Sequence, residues 1–126
     1  MILKAQQGDS LSSGKLTLYA FDPDDRPVGC VELYNYDPIN RRAAVGIVVS
    51  NEYRHQGFGS AMIQALTHFC RSNTSLHQIY ADIAATNVPS LLIFQKAGYS
   101  HCATLTDWVI RSDKFIDTHR YQLILE

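Results

Sequence analysis

Residues 45–60 read VGIVVSNEYRHQGFGS, and this stretch decides the fold of the chain. Its first five residues are apolar on both alternating faces, which is typical of a strand buried at the centre of a sheet. After a polar loop with two glycines comes a segment with helical apolar spacing, marked by Met62, Leu66, Phe69 and Cys70. A buried strand, a glycine-containing loop and an amphipathic helix in this order predict an α/β domain.

Outward from this stretch, the alternation of apolar and polar residues predicts further strands on both sides. We expect strands at about 15–21, 28–36, 42–49, 78–84, 106–112 and 121–125, and helices at about 57–71 and 88–96. The second helix has Asn87 as its cap, Pro89 in its first turn and Gly98 at its end. The order β-β-β-α-β-α-β-β predicts a mixed central sheet, preceded by a helix end at 1–8 and a loop to residue 14.

Composition and charge exclude several classes of function. The chain has 126 residues, of which 46% are hydrophobic and 18% charged, as in one ordinary globular domain. A formal net charge of −1 leaves no basic surplus for binding nucleic acid. No apolar run is long enough to cross a bilayer and no signal peptide is visible, so we expect a cytoplasmic protein without a membrane partner.

Cysteine and histidine spacing argues against metal chemistry. Cys30, Cys70 and Cys102 form no CxxC pair, which predicts free thiols in a reducing compartment. The five histidines show neither HExxH nor another paired spacing. We therefore expect no bound metal.

The loop at residues 54–60, RHQGFGS, has the chemistry of an anion site. The first turn of a helix has unpaired N–H groups and the positive end of the helix dipole, which suit a diphosphate. Gly57 and Gly59 let the backbone approach a ligand closely, but taken alone they are equally consistent with a tight turn. No lysine follows Gly59, so a P-loop is excluded, and Met62 occupies the third small position of a dinucleotide fingerprint.

A second motif follows this loop after about 25 residues and reads Asn87-x-x-Ser90-x-x-x-Phe94-x-Lys96-x-Gly98-Tyr99. Together with the 45–49 strand and Arg54-x-x-Gly57-x-Gly59, it resembles the GNAT superfamily of N-acetyltransferases. The branches that it resembles most act on ribosomal-protein N-termini and on spermidine. The resemblance covers about residue 15 to the C-terminus, and the two motifs at this spacing are far more specific together than either is alone.

The resemblance implies that acetyl-CoA, as cosubstrate, lies in a V-shaped gap between the strands at 45–49 and 78–84. The pantetheine arm would pair with the first of these like an added strand, and the backbone of Val48 would contact the oxyanion. Loop amides would hold the diphosphate, with Asn87 across the gap. The implied cofactor-binding residues are Ile47, Val48, Val49, Arg54, His55, Gln56, Gly57, Phe58, Gly59, Ser60, Asn87, Ser90 and Phe94. An acceptor amine would attack the thioester directly in a ternary complex.

The proton-transfer groups depart from the superfamily's pattern. Many members protonate the leaving thiolate with a tyrosine on the second helix, but the matching residue here is Phe94, which has no proton to donate. Water or another tyrosine would then serve. Glu32 is a candidate general base or amine-binding carboxylate, with a solvated or structural role as the alternative. Tyr34, Tyr36 and Tyr80 are candidate lining residues of the acceptor pocket, with strand packing as the alternative.

Compared with this superfamily, the N-terminal region is short, because members typically have a strand and two helices before the first hairpin. We expect residues 1–14 to be the remnant of a helix and loop, and residues 15–126 to form the acetyl-CoA-binding N-acetyltransferase domain. Missing helices would expose apolar sheet surface, so we expect a homo-oligomer.

Two functions are consistent with these features. The first is transfer of the acetyl group of acetyl-CoA to a primary amine, which is a peptide N-terminus, a polyamine or another small amine. The second is a degenerate domain that binds acyl-CoA without efficient turnover. Phe94 and the short N-terminal region favour the second function, whereas the intact loop and Asn87 fit both.

Overall fold

A mixed sheet of seven strands forms the centre of the computed structural model, which describes residues 1–5 and 10–126. The strands are β1 (Ile2–Ala5), β2 (Leu16–Phe21), β3 (Pro27–Asp37), β4 (Arg42–Val49), β5 (Gln78–Ala84), β6 (Ser100–Arg111) and β7 (Lys114–Ile124). The helices are α1 (Phe58–Asn73) and α2 (Val88–Lys96), and 3₁₀ turns cover Leu11–Ser13 and Asn51–Tyr53. The spatial order is β1-β2-β3-β4-β5-β7-β6, which confirms the predicted α/β fold with a mixed sheet.

β4 occupies the central position that its two apolar faces predicted. It pairs antiparallel with β3, from Gly29 opposite Val49 to Tyr34 opposite Ala44. Its parallel pairing with β5 covers only residues 42–44 beside 78–80, and after Ala44 and Tyr80 the two strands separate. This separation, called the split below, is the V-shaped gap that the resemblance implied.

Both helices pack on one face of the sheet, called the helix face below. α1 turns Met62, Ile63, Leu66 and Cys70 toward this face, and none of these four side chains is exposed to solvent. Met62, Leu66 and Cys70 belong to the apolar stripe expected from the sequence, whereas Phe69, its fourth member, is only partly buried. Burial of a side chain of this size contributes about 1.5–3 kcal/mol, so the stripe fixes α1 firmly against the sheet.

The opposite face, called the open face below, carries polar and aromatic side chains. Alternation along the paired strands places Glu32 and Tyr34 of β3, Tyr80 and Asp82 of β5, and Arg120 of β7 on it. Across residues 1–5 and 10–126, neither helix covers this face. The expectation of an apolar exposed sheet is thus corrected, because the surface has charged and phenolic groups that water can solvate.

The N-terminal expectation is wrong for the residues that the structure describes there. Residues 2–5 form strand β1 rather than the end of a helix, and β1 pairs antiparallel with β2, with Ile2 opposite Phe21 and Ala5 opposite Leu18. The sheet edge offers unpaired backbone groups that an extended segment satisfies, and this contact between distant residues overrides local preference. A strand therefore precedes the first hairpin after all. The rest of the helix prediction, residues 6–8, lies outside the described residues.

The C-terminal hairpin is longer than the sequence predicted. β6 and β7 are joined by a turn at Ser112 and Asp113, whose φ angles are 49° and 62°. Two successive residues in the left-handed region are typical of a tight two-residue hairpin turn. Such a turn usually contains glycine, and its absence here explains why the strands were predicted only at 106–112 and 121–125.

Candidate active site

A groove of about 690 Å³ lies at the split, between β4 and the N-terminal ends of α1 and α2. Ile47, Val48 and Val49 form its sheet side. Arg54, His55, Gly57, Phe58, Gly59 and Ser60 form its loop side, and Asn87 and Ser90 form its α2 side. The structure thus brings together eleven of the thirteen predicted cofactor-binding residues, which leaves Gln56 and Phe94 outside the lining.

The N-terminus of α1 has unpaired backbone donors that face the groove. Gly57 precedes the helix with φ of 83°, a left-handed conformation that favours glycine, and no side chain caps the first turn. The N–H groups of residues 58–60 therefore have no partner within the helix. The Tyr53 and Phe58 rings pack edge to face, with centroids 5.4 Å apart, and join the two ends of the loop.

The side chains before Gly57 have different roles. The Arg54 guanidinium donates from Nε to the Val49 carbonyl at 3.2 Å, which ties the loop to the end of β4. His55 has φ of 63°, so it completes the turn in a left-handed conformation. The Gln56 amide donates to the Glu52 carbonyl at 2.9 Å, so its side chain is used within the loop.

Gly59 sets the width of the groove at its loop side. A Cβ added at Gly59 would lie 2.8 Å from Ile93 Cδ1 and 3.7 Å from the side chains of Ile47 and Val49. α1, α2 and β4 therefore meet at this residue, and the small glycine allows their close approach.

The register of β4 decides which of its amides face the split. The Ser50 N–H donates to the Val28 carbonyl of β3, and the His77 N–H beside β5 donates to the Arg41 carbonyl. Because backbone groups alternate in direction along a strand, even-numbered residues of β4 face β3 and odd-numbered residues face β5. The predicted oxyanion contact through Val48 is corrected on this basis, since Ile47 and Val49 direct their amides to the split.

Asn87 caps α2 as predicted, with its Oδ1 accepting the Ser90 N–H at 3.4 Å. The cap uses the oxygen of the side-chain amide. The nitrogen is therefore the atom with which Asn87 could donate to a ligand in the groove.

Phe94 lies in the core rather than in the groove. Only 1% of the residue is exposed, and its ring packs edge to face against Tyr99 with centroids 4.9 Å apart. The predicted cofactor contact of Phe94 is not supported by this position. Apolar lining comes instead from Val88 and Leu92, which are 54% and 59% exposed. These two could have been found from the sequence as apolar residues on the outer face of α2.

Gly29 is a second residue that the sequence analysis missed. A Cβ added there would overlap the Val48 carbonyl, so β3 and β4 approach at this point more closely than another residue allows. A glycine inside a predicted strand is the signal that could have indicated such an approach.

Glu32 is separate from the groove lining. It lies on the open face, opposite Gly46 of β4, and its Oε1 is 3.5 Å from Lys15 Nζ. The candidate base and the candidate cofactor groove thus lie on opposite faces of the sheet, joined by the split.

Comparison with known proteins identifies the family. The family model described as the acetyltransferase (GNAT) family matches residues 4–99, more than half of the chain. The chain belongs to the GNAT family. Its match includes the strand, loop and second motif on which the resemblance was based.

Two curated relatives of this GNAT chain have a named activity. The spermidine N(1)-acetyltransferase of Vibrio cholerae is 22% identical over 103 residues, which cover 82% of this chain and 60% of that protein. The spermidine N(1)-acetyltransferase of Escherichia coli K12 is 24% identical over 82 residues, or 65% of this chain and 44% of that protein. The chain spans less than two thirds of the length of both relatives.

Solved structures share the fold. The Vibrio cholerae spermidine N-acetyltransferase in complex with CoA and spermine superimposes with a TM-score of 0.86 at 20% identity, over 90% of this chain and 68% of that one. The spermidine/spermine N-acetyltransferase of the same organism in complex with manganese ions gives 0.84 at 20% identity, over 89% and 66%. At this identity the likeness establishes the GNAT fold alone.

Two further features concern membranes and metals. Within residues 1–5 and 10–126, no helix has the length and apolar character needed to cross a membrane. In the same part of the chain, no three His, Cys, Asp or Glu side chains come together as a potential metal site.

Proposed function

We propose that this chain binds acetyl-CoA in the groove and transfers its acetyl group to a primary amine. The observation that carries the proposal is the split, which opens β4 directly beside the uncapped N-terminus of α1. This arrangement offers an anion site and a free strand edge at a spacing that one extended cofactor can occupy. The named activity of the Vibrio cholerae and Escherichia coli relatives supports the same chemistry.

In this proposal, each part of the cofactor contacts a different part of the groove. The amides of residues 58–60 and the positive end of α1 bind the diphosphate, with Arg54 and His55 beside it. The pantetheine arm lies along β4, where Ile47 and Val49 present backbone groups to the split. The exposed apolar side chains of Val88 and Leu92 cover it from the α2 side.

The reaction is direct attack by the amine on the thioester. The neutral amine forms a bond to the carbonyl carbon, and the negative charge that develops on oxygen needs a hydrogen-bond donor. The Ile47 N–H is nearer the closed end of the split than that of Val49, so it is the donor that we assign. Because Phe94 is buried and has no hydroxyl, the thiolate takes its proton from water or from the acceptor nitrogen.

The second candidate is a domain that binds acyl-CoA without efficient turnover, which the burial of Phe94 favours. Calorimetric titration of acetyl-CoA followed by thiol release with a panel of amines separates the two. Binding with amine-dependent thiol release supports the transferase. Binding without release for every amine supports the second candidate, and absence of binding rejects both.

A further inference from the structure

The closed end of the split lies next to a cluster of side chains on the open face. Tyr34 and Tyr80 belong to β3 and β5 and are both aligned with Ala44 of β4, where the β4–β5 pairing ends. Gly46 follows on the same face, and a Cβ added there would lie 3.5 Å from Tyr34 Cε1. Two aromatic side chains thus flank two of the smallest residues, and Ala44 between them is only 2% exposed, so the rings already cover it. This arrangement of Tyr34, Ala44, Gly46 and Tyr80 is called the tyrosine trough below.

The trough lies where an acceptor must approach. A cofactor entering from the helix face reaches the closed end of the split with its thioester. The helix face is occupied there by α1 and α2, so the open face is the free side. An amine held in the trough would therefore be near the thioester carbonyl carbon.

One of the two carboxylates beside the trough is already neutralised. Arg120 donates to both oxygens of Asp82, at 2.8 and 2.9 Å, and its guanidinium lies 4.7 Å from the centre of the Tyr80 ring. The hydrogen bond to Asp82 raises the pKa of Arg120 further above its usual value. A bidentate pair of this kind is strong and geometrically fixed, so Asp82 is not available to an ammonium group.

Glu32 is the carboxylate that an ammonium group can reach. Among residues 1–5 and 10–126, its ion-pair partner is Lys15 at 3.5 Å, and the Lys15 side chain is 61% exposed. An exposed single-contact pair of this kind is weak, so a bound amine can displace the lysine. Burial and the nearby Asp82 charge raise the pKa of Tyr34, which keeps its hydroxyl protonated as a neutral neighbour of the bound amine.

We infer that the acceptor is a primary amine with a single positive charge and a flat, largely apolar body, bound against the rings of Tyr34 and Tyr80 with its nitrogen at Glu32. This inference rests on the proposed function and specifies its substrate class. The aromatic rings stack on the flat body of the acceptor, and Glu32 orients the nitrogen.

The proton and electron balance is simple. Glu32 accepts one proton from the ammonium group and passes it to water, which leaves the nitrogen lone pair free to attack the thioester carbon. The C–N bond forms, the C–S bond breaks with its electron pair on sulfur, and the second nitrogen proton goes to the CoA thiolate. The products are the amide and free CoA.

A polyamine fits this surface less well than a singly charged amine. Its further ammonium groups need further carboxylates, and Asp82, the other carboxylate that the described residues place beside the trough, is paired with Arg120. Arg120 and Lys15 are themselves positive and repel a second ammonium group. The acceptor class thus differs from the spermidine in the names of the Vibrio cholerae and Escherichia coli relatives.

The first test compares 2-phenylethylamine with spermidine as acceptors, with thiol release from acetyl-CoA as the readout. We expect kcat/KM for 2-phenylethylamine to be at least about tenfold higher, as one well-placed stacking and charge contact provides. A higher value for spermidine would overturn the inference and leave the proposed transferase activity intact.

The second test uses two variants with opposite expected signs. Glu32→Gln should raise KM for 2-phenylethylamine about 10- to 100-fold, as expected for loss of a charge-assisted contact, and should lower kcat because glutamine cannot accept the ammonium proton. The affinity for acetyl-CoA should not change. Lys15→Met should lower KM, because it removes the cation that competes for Glu32. An unchanged KM in both variants would contradict the assignment of Glu32.

A third measurement tests amine binding separately from acetyl transfer. Calorimetry of 2-phenylethylamine with the CoA-loaded protein reports binding whether or not turnover occurs. If the wild-type protein binds 2-phenylethylamine more tightly than Glu32→Gln does but releases no thiol, the transferase is rejected and the amine site is retained. Absence of binding would overturn the inference.

Discussion

The two faces of the sheet are built in different ways. The groove on the helix face comes mainly from one continuous stretch, residues 47–60, and the groups that we propose for anion binding are backbone amides at the start of α1. The open face takes Glu32, Tyr80 and Arg120 from strands far apart in the sequence. A site of backbone groups tolerates side-chain variation, whereas a site of side chains changes its ligand with each substitution. We infer that the helix face determines the chemistry and the open face determines the acceptor.

The largest effect is expected from filling the groove at Gly57. Gly57→Trp should lower acetyl-CoA affinity by at least about 100-fold, or about 2.7 kcal/mol, because the indole would occupy the diphosphate site. Gly14 is a matched control, since both glycines have φ near 90° and open space around a Cβ. Calorimetry should show near-normal affinity for Gly14→Trp. Equal affinities for the two variants would contradict the placement of the cofactor at the loop.

The next prediction compares two glycines at which an added Cβ would lie on opposite faces of the sheet. Gly29→Ala should destabilise the fold by about 1–3 kcal/mol, because the new methyl group overlaps the Val48 carbonyl. Gly46→Ala should cost less than about 1 kcal/mol, since its Cβ would make an ordinary contact with Tyr34. Urea unfolding measures both. A greater loss for Gly46→Ala would show that the tight β3–β4 approach is misassigned.

Phe94→Tyr tests whether α2 can supply a proton to the groove. The added hydroxyl enters a buried core position, where an unsatisfied polar group is costly, so we expect a loss of about 1–3 kcal/mol in unfolding free energy. Cofactor binding should persist, and the rate of thiol release should not increase. A rise in kcat without loss of stability would show that residue 94 faces the bound thioester after all.

The smallest effect concerns self-association, which stays a prediction with a changed location. Trp108, Ile110 and Phe115 of the β6–β7 hairpin are 60%, 55% and 65% exposed, which marks this hairpin as the apolar contact surface. Phe115→Lys should shift the assembly toward monomer in light scattering after size exclusion, whereas Ile39→Lys in the β3–β4 turn serves as an exposed apolar control. A wild-type protein that is strictly monomeric would reject this prediction.

Local patterns predicted most of the fold. β5 and α2 begin and end at the residues that the sequence indicated. Alternating apolar residues define β5, and Asn87 and Pro89 mark the start of α2, so both signals come from neighbouring residues. β1 was missed because residues 2–5 become a strand only beside β2. The β6–β7 turn was misplaced because it uses Ser112 and Asp113 in place of glycine.

The sequence by itself indicated the family, the central strand and the glycine-containing loop that starts α1. These features depend on contiguous residues whose backbone preferences act locally, so their spacing is sufficient to predict them. Only the tertiary structure decided that Phe94 is buried and that the Ile47 amide, rather than the Val48 amide, faces the split. It also decided that Asp82 is paired with Arg120, while Glu32 has only a weak ion pair with Lys15 among the described residues. Each of these depends on strand register and on neighbours distant in the chain, which no local pattern records.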